Sequence, residues 1–347
     1  MKAWAVLLLL GVAISPIAHA QTSSPGFVQP KTSWGVPDLQ GYWNNTSLTS
    51  MQRPATTSKL VLTEQEAIAL ARRVPVVAAA REESVASKVD EKSSAELLAD
   101  KNPDRGYNTF WMDPGASYAK VKGEYRSSWI TYPTTGTIPY TEAGIAANTR
   151  TNTYDDYEVR PLAERCIMSF SGGAGPVLSN SLYNNTYQIV QTPDSVMMLT
   201  EMIHDVRVIP IVKSAAEAKP SMKEIPRWGG DSVGWYEGNT LVVQTTNSHP
   251  KQRSYISKDG KVTERYTRWS DSEIYYEFKV EDSHLYKESW GGEMVLRASE
   301  PLYEYACHEG NYAFAGIMGG ARELDRQGRS HPPGKPIFAG VDTSDGE

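Results

Sequence analysis

The sequence has little cysteine, little phenylalanine and no excess of positive charge, and it lacks the signatures of several enzyme classes. Its two cysteines are too few and too widely spaced for a structural zinc knuckle. It contains no Gly-x-Ser-x-Gly elbow, no P-loop, no dinucleotide fingerprint and no His-Glu-x-x-His pair, which argues against the enzyme classes built on those motifs. The formal net charge is −6 and no basic stripe occurs, so we expect no nucleic-acid partner.

Long apolar runs are also missing after residue 20, so the sequence predicts no membrane anchor there. Residues 1–20 combine Lys2, an apolar run over residues 3–14 and the small-residue triplet Ala18-His19-Ala20 before Gln21. This is the pattern of a cleavable secretory signal peptide. We therefore predict an exported protein that works in a bacterial periplasm.

The two cysteines are Cys166 and Cys307. In an exported chain an even pair predicts a disulfide. The alternatives are free buried thiols, or a nucleophilic Cys307 beside His308. The 9 Trp and 19 Tyr, against 6 Phe, fit either an aromatic-ligand site or a β-rich fold.

The sequence predicts four regions: a signal peptide (1–20), an arm with helices and long loops (21–165), an antiparallel β domain with a closing helix (166–325) and a flexible tail (326–347). A capping box at Thr63 and Glu66 begins a helix that reaches about Arg73. Further helices are predicted over residues 84–99, near 140–149 and over 312–324. The extended arm, over residues 21–60, is expected to be pinned by Trp34, Leu39, Tyr42 and Trp43.

Period-two alternation and tight turns from residue 187 onwards predict a series of antiparallel strands. Consecutive hairpins that close on themselves remove edge strands, which favours a mainly β, calycin- or lipocalin-like antiparallel barrel. A β-sandwich is the alternative. The predicted strands are 187–191, 196–203, 206–212, 232–236, 240–245, 264–269, 273–280, 285–290 and 293–298.

Several blocks of the sequence resemble a family of uncharacterised secreted bacterial proteins. They are Trp-Gly-x-Pro-Asp-Leu-x-Gly-x-Trp (34–43), Glu-Met-Ile-His-Asp-Val-Arg (201–207), Gly-Asp-Ser (230–232) and Tyr-Glu-Tyr-Ala-Cys-His-Glu-Gly-Asn-Tyr (303–312), with related blocks at 183–185 and 188–194. In compartment, size and aromatic content the chain also resembles the periplasmic phenylcoumaran γ-formaldehyde lyases of lignin-degrading sphingomonads.

Two histidines lie beside carboxylates inside these blocks, His204 with Asp205 and His308 with Glu309. A histidine held beside a carboxylate suits general acid–base catalysis near neutral pH. The structural alternatives are a hairpin end held by an Asp205–Arg207 bridge, and a helix capped by Glu309 with His308 packed against it.

The resemblance to the lyases implies a cofactor-independent enzyme that releases formaldehyde from a lignin-derived phenolic dimer to leave a stilbene. His204 and His308 would then be the bases, Asp205 or Glu309 would orient them, and Arg207 would hold the phenolate. No cofactor is expected, although His204, Asp205, His308 and Glu309 leave a metal possible. The alternative is a non-catalytic binder of small aromatic or apolar ligands. The expected aromatic walls are Tyr187, Trp228, Trp235 and Tyr305.

Overall fold

The computed structural model describes residues 23–74, 77, 115–151, 160–169, 175–181, 183–219, 225–250, 252, 255–329 and 336–338. Most of its strands join in one large antiparallel sheet. The strands of the main path are β1 (Gly41–Asn44), β7 (Thr186–Gln191), β8 (Ser195–Thr200), β9 (Val206–Pro210), β10 (Asp231–Glu237), β11 (Thr240–Thr246), β12 (Lys261–Arg268), β13 (Glu273–Glu281) and β14 (Trp290–Ala298). The shorter strands are β2 (Val61–Leu62), β3 (Lys120–Val121), β4 (Glu124–Arg126), β5 (Ile130–Tyr132), β6 (Thr149–Thr151) and β15 (Pro336–Phe338).

The large sheet curls into a nearly closed barrel, which confirms the predicted fold class. Its strand order is β10-β11-β12-β13-β14-β1-β7-β8-β9, and β5 adds to β14. Because this path has an even number of antiparallel steps between its ends, β9 and β10 run in the same direction. They meet through a parallel bridge between Ile211 and Gly234, where the Val212 amide donates to the Gly234 carbonyl at 2.8 Å.

Alternating side chains fill the inside of this barrel. On β13 the inward residues Ile274, Tyr276, Phe278 and Val280 are 0–2 % exposed, whereas Lys279 between them faces solvent. Their period of two is the physical signature of a sheet with one buried face. Large side chains from other strands complete the core, including Trp43, Tyr187, Tyr266, Trp290 and Met294.

The N-terminal arm supplies a strand that the sequence analysis missed. Gly41–Asn44 lies between β14 and β7 and pairs antiparallel with both. Upstream of it, Gln191 inside the barrel accepts from the Leu39 amide at 2.6 Å and donates to the Pro37 carbonyl at 3.1 Å. Leu39 and Trp43 are buried as expected, but Trp34 is 37 % exposed, so its predicted role in pinning the arm was wrong.

In the described part of the chain, three α-helices lie outside the barrel: α1 (Glu64–Ala71), α2 (Glu142–Asn148) and α3 (Ala313–Arg326). The capping box is confirmed, because the Glu66 amide donates to the Thr63 hydroxyl and the Thr63 amide to the Glu66 carboxylate. Helix α1 ends two residues earlier than predicted. Two small sheets accompany the helices, β2-β4-β3 and β6-β15.

The predicted break at Gly291-Gly292 was wrong, since β14 runs straight through both glycines and residues 285–289 are not a strand. The glycines are required by close backbone approach rather than by a turn. A Cβ at Gly292 would lie 1.9 Å from the Trp129 carbonyl oxygen, and one at Gly291 2.2 Å from that of Phe278. Strand β5 pairs along β14 at this point.

Other predicted boundaries need smaller corrections. Strand β8 ends at Thr200 rather than at residue 203, and Met202–His204 forms a short 3-10 turn. Within the tail predicted to be flexible, Pro336–Phe338 pairs with β6. The predicted signal peptide and the helix over residues 84–99 lie outside the described residues.

Gly292→Ala tests the close approach of β5 to β14. The new methyl group overlaps the Trp129 carbonyl, so we expect the free energy of unfolding in urea to fall by about 1–3 kcal/mol. Gly319→Ala is the matched control, because an open, exposed position in α3 should gain about 0.5–1 kcal/mol from helix propensity. Equal stabilities for wild type and Gly292→Ala would contradict this packing.

Candidate functional site

The structure brings His204 and His308 together. His204 ends the 3-10 turn after β8, and His308 lies in the segment 299–312 that connects β14 to α3. Their ring centroids are 5.7 Å apart with the planes tilted by 41°. Both side chains are exposed, so a ligand in solution can reach them. We call these two residues the histidine pair.

A disulfide holds one side of the histidine pair. Cys166 and Cys307 are bonded, with Cα atoms 5.8 Å apart, which confirms the predicted bridge. Cys307 directly precedes His308, and Asn311 donates to the Glu164 carbonyl at 2.7 Å. By chain entropy, a bridge between residues 141 positions apart contributes about 5 kcal/mol. The segment that carries His308 is thus tied to residues 160–169.

A hydrogen bond fixes the tautomer of His204. Its Nδ1 lies 3.1 Å from the Tyr305 carbonyl oxygen. A carbonyl can only accept, so Nδ1 carries the proton and donates. In the neutral ring Nε2 is therefore left as the basic nitrogen, which is the arrangement that a general base requires.

The backbone that presents His204 is strained. Ile203 has φ = 62° and His204 has φ = 43°, both in the left-handed region that β-branched and bulky residues rarely adopt. Each such residue costs on the order of 1–3 kcal/mol, and such costs are concentrated at functional sites. Burial of Ile203 in a small cluster with Met202 and Ala163 helps to hold the turn.

The two carboxylates next to the histidines have different surroundings. Glu309 is exposed, whereas Asp205 is half-buried. Burial raises the pKa of the Asp205 carboxyl, against the opposing effects of the Val206 amide and the neighbouring His204 and Arg207 charges.

Several tyrosines lie in or near the segments that carry the histidine pair. Tyr183 and Tyr305 pack on the cluster under the turn, and burial raises the pKa of the Tyr305 hydroxyl to about 12. That hydroxyl therefore stays protonated at neutral pH, where it interacts with Tyr183. Tyr303 and Tyr312, in the same segment as His308, are 79 % and 88 % exposed.

Arg207 does not pair with Asp205 as predicted. Its guanidinium points into the barrel, where it forms a bidentate ion pair with Glu264, a residue that the sequence analysis did not single out. Arg207 also donates to Ser232 at 2.8 Å and to Thr245 at 2.7 Å. One signal could have identified Glu264. Residues of β12 alternate between the two faces of the sheet, and this alternation places Glu264 on the inner face.

Two tyrosine hydroxyls complete the bonding of Glu264. Tyr266 and Tyr276 donate to its Oε1 at 2.9 and 3.0 Å. Burial, and then the adjacent Glu264 charge, raise the pKa of both tyrosines well above the usual range. We call Arg207, Glu264, Ser232 and Thr245 the seam clasp, because Arg207 joins β9 to β10, β11 and β12 where the barrel closes.

The four residues predicted as aromatic walls lie in different environments. Tyr187 is in the main core, and Tyr305 packs under the histidine pair. Trp235 is 6 % exposed and donates to Glu237 at 2.8 Å. Trp228 is 39 % exposed and stacks on His249, with the two ring centroids 3.9 Å apart. The sequence analysis had not singled out His249. Only Tyr305 therefore contacts the candidate site directly.

Within the described residues, no group of three or more His, Cys, Asp or Glu side chains is arranged to hold a metal ion. In the same part of the chain, no helix is both long and apolar enough to cross a membrane. No protein-family model matches this chain, and no curated protein matches it either.

Glu264→Gln tests the seam clasp. It leaves the buried Arg207 without a countercharge, so we expect the free energy of unfolding to fall by about 3 kcal/mol or more. Glu237→Gln, in the exposed pair with Arg265, is the control and should cost at most about 1 kcal/mol. Urea unfolding measures both, and equal losses would contradict a buried, structural ion pair.

Asp205→Asn tests the raised pKa of Asp205. A folded-state pKa above the unfolded value means that ionisation at neutral pH opposes folding, since the favourable contribution is present in acid and lost as the pH rises. The variant should therefore be more stable than wild type at pH 7, and this advantage should shrink in acid below the ordinary pKa of 3.8. Urea unfolding at both pH values checks it, and an advantage of equal size in acid would contradict the cause.

Proposed function

We propose that this protein is an exported acid–base enzyme that acts on a phenolic substrate at the histidine pair, without a redox cofactor. The observation that carries the proposal is the 5.7 Å separation of the His204 and His308 rings, contributed by two distant parts of the chain. A protein that only binds apolar ligands has no need for two exposed imidazoles side by side.

The reaction we propose is a carbon–carbon lyase reaction on a phenolic dimer that carries a benzylic aryl ether and a neighbouring CH2OH group. One base takes the phenol proton, the benzylic C–O bond breaks, and a quinone methide and a second phenolate form. A base then takes the alcohol proton, the C–C bond breaks and formaldehyde leaves. The electron pair of that bond forms the stilbene double bond and restores the first phenolate, and the two protonated bases return their protons to the two phenolates. No oxidant or reductant is consumed.

The chain supplies a group for each role. His204, with Nδ1 bonded to the Tyr305 carbonyl, presents Nε2 as one base, and His308 is the other. The exposed rings of Tyr303 and Tyr312, in the segment that carries His308, can stack on the substrate. Arg207, already paired with Glu264, acts as a positioning residue at the start of β9 and not as the phenolate partner.

Export is supported by the signal-like residues 1–20 and by the disulfide, which forms and persists in oxidising compartments. A periplasmic location would also bring the exposed histidine pair to substrates outside the cell. The binding-protein alternative is less favoured, because bulky side chains such as Trp43, Tyr187 and Tyr276 occupy the barrel interior.

His308→Ala and His204→Ala test the proposal, with turnover of a phenolic dimer followed by stilbene absorbance. Each variant should lose about 10²-fold or more in turnover, since it removes a general base. Because the His308 side chain is exposed, the thermal midpoint of His308→Ala should stay nearly unchanged, whereas His204→Ala also loses the bond to the Tyr305 carbonyl and its midpoint should fall by about 2–4 °C. His284→Ala, at an exposed turn residue, is the matched control and should keep full activity.

Full turnover by both histidine variants would remove the proposed mechanism. A large fall in thermal midpoint without a specific fall in rate would assign the pair a structural role. A wild-type protein that binds the dimer and leaves it unchanged would favour the binding-protein alternative.

A further inference from the structure

A small polar cavity lies beneath the loops that carry the histidine pair. Its volume is about 10 Å³ and it is partly open to the surface. Met202 on its wall is two residues before His204, and Ser169 is three residues after the disulfide-bonded Cys166. The lining residues are Ser169, Ser179, Ser181, Asn184, Asn185, Tyr187, Thr200 and Met202.

Two of the lining hydroxyls are buried and have no hydrogen-bond partner among the described residues. Ser169 is 7 % exposed and Thr200 is 3 % exposed, and no described group bonds Oγ of Ser169 or Oγ1 of Thr200. Buried hydroxyl groups in native proteins are almost always satisfied by protein or by ordered water. Leaving one unsatisfied costs about 1–3 kcal/mol. The two orphan hydroxyls therefore indicate a missing polar group.

The chemistry of the wall limits what that group can be. Every described lining side chain is uncharged, so none of them compensates the charge of an anion or a cation. Other wall groups are already satisfied: the Tyr187 hydroxyl donates to the Ser179 carbonyl at 3.2 Å, and Asn185 bonds Ser181 in both directions. A volume of about 10 Å³ is at the lower limit for one water-sized oxygen.

We propose that this cavity is a neutral hydroxyl-binding subsite. One water bridges Ser169 and Thr200 in the free protein, and an alcohol oxygen of the ligand replaces that water in the complex. The identity of the ligand rests on the proposed function, in which the substrate carries a primary alcohol. A hydroxyl donates and accepts, as two hydroxyl partners require. The subsite would hold the alcohol close to the turn that carries His204, since Met202 of that turn lines the cavity.

Thr200→Val tests whether the free protein holds this water, because the substitution keeps the shape of the side chain and removes its hydroxyl. If a water is held, the variant loses a hydrogen bond and its thermal midpoint should fall by about 2–4 °C. Thr263→Val, at a partly exposed position of β12, is the control and should change the midpoint by about 1 °C or less. A crystal structure of the wild type should show one oxygen within 3.5 Å of both hydroxyls. A dry cavity, or a midpoint that rises in Thr200→Val, overturns the proposal.

Two ligands test whether an alcohol oxygen replaces the water in the complex. They are 3-(4-hydroxyphenyl)propan-1-ol and 4-propylphenol, which differ only in the alcohol group. Calorimetry should show wild type binding the alcohol roughly 3- to 10-fold more tightly, the range expected of one neutral hydrogen bond. Thr200→Val and Ser169→Ala should each reduce this preference towards 1. Equal affinities in the wild type would overturn the subsite.

The two proposals fail separately. A bound oxygen and an alcohol preference without any turnover of phenolic dimers would remove the proposed function and leave the subsite. Turnover with an empty cavity and no alcohol preference would do the reverse.

Discussion

The seam clasp holds together the part of the barrel on which the candidate site depends. Along most of the sheet, full antiparallel ladders join neighbouring strands, but between β9 and β10 the backbone contributes only the bridge around Gly234 among the described residues. Arg207 compensates with side-chain bonds to β10, β11 and β12, and Glu264 neutralises it inside the core. A buried ion pair of this kind is costly to break, so the seam has one specified geometry.

The position of the histidine pair depends on this seam. Three residues before Arg207, His204 ends a turn with two left-handed residues, which persists only if both of its ends are held. The buried Glu201 carboxylate holds one end, because it accepts from the Thr186 amide at the start of β7 and from the Tyr303 amide. The disulfide holds the partner loop, so His308 meets His204 through one covalent and several hydrogen-bonded ties. Strain at the turn and burial of Asp205 both lower the stability of the folded protein. Both occur beside His204, where the chemistry is proposed.

Local patterns predicted most of the strands and the α1 capping box, since both are visible in short stretches of sequence. The disulfide was predicted from the even number of cysteines, which is visible in the composition. They did not predict β1, because four residues in an arm rich in proline and glycine carry no period. They misread Gly291-Gly292, since a turn and a close backbone contact both require glycine. At the site, the two histidines were visible beside carboxylates, but Glu264 was not, because its partner Arg207 is 57 positions away and comes near only when the barrel closes. The left-handed conformation of Ile203 has no sequence signal at all, since isoleucine normally avoids it.

The most direct test of the account is anaerobic incubation of the purified protein with a phenolic dimer in the presence of EDTA, with stilbene and formaldehyde both quantified. A cofactor-independent acid–base lyase should release the two products in equal amounts, without oxygen and without sensitivity to the chelator. Recovery of unchanged substrate, together with a substrate-dependent rise in thermal midpoint, would contradict the account and identify a binding protein. Loss of turnover in EDTA would contradict it too, by showing that a metal ion takes part.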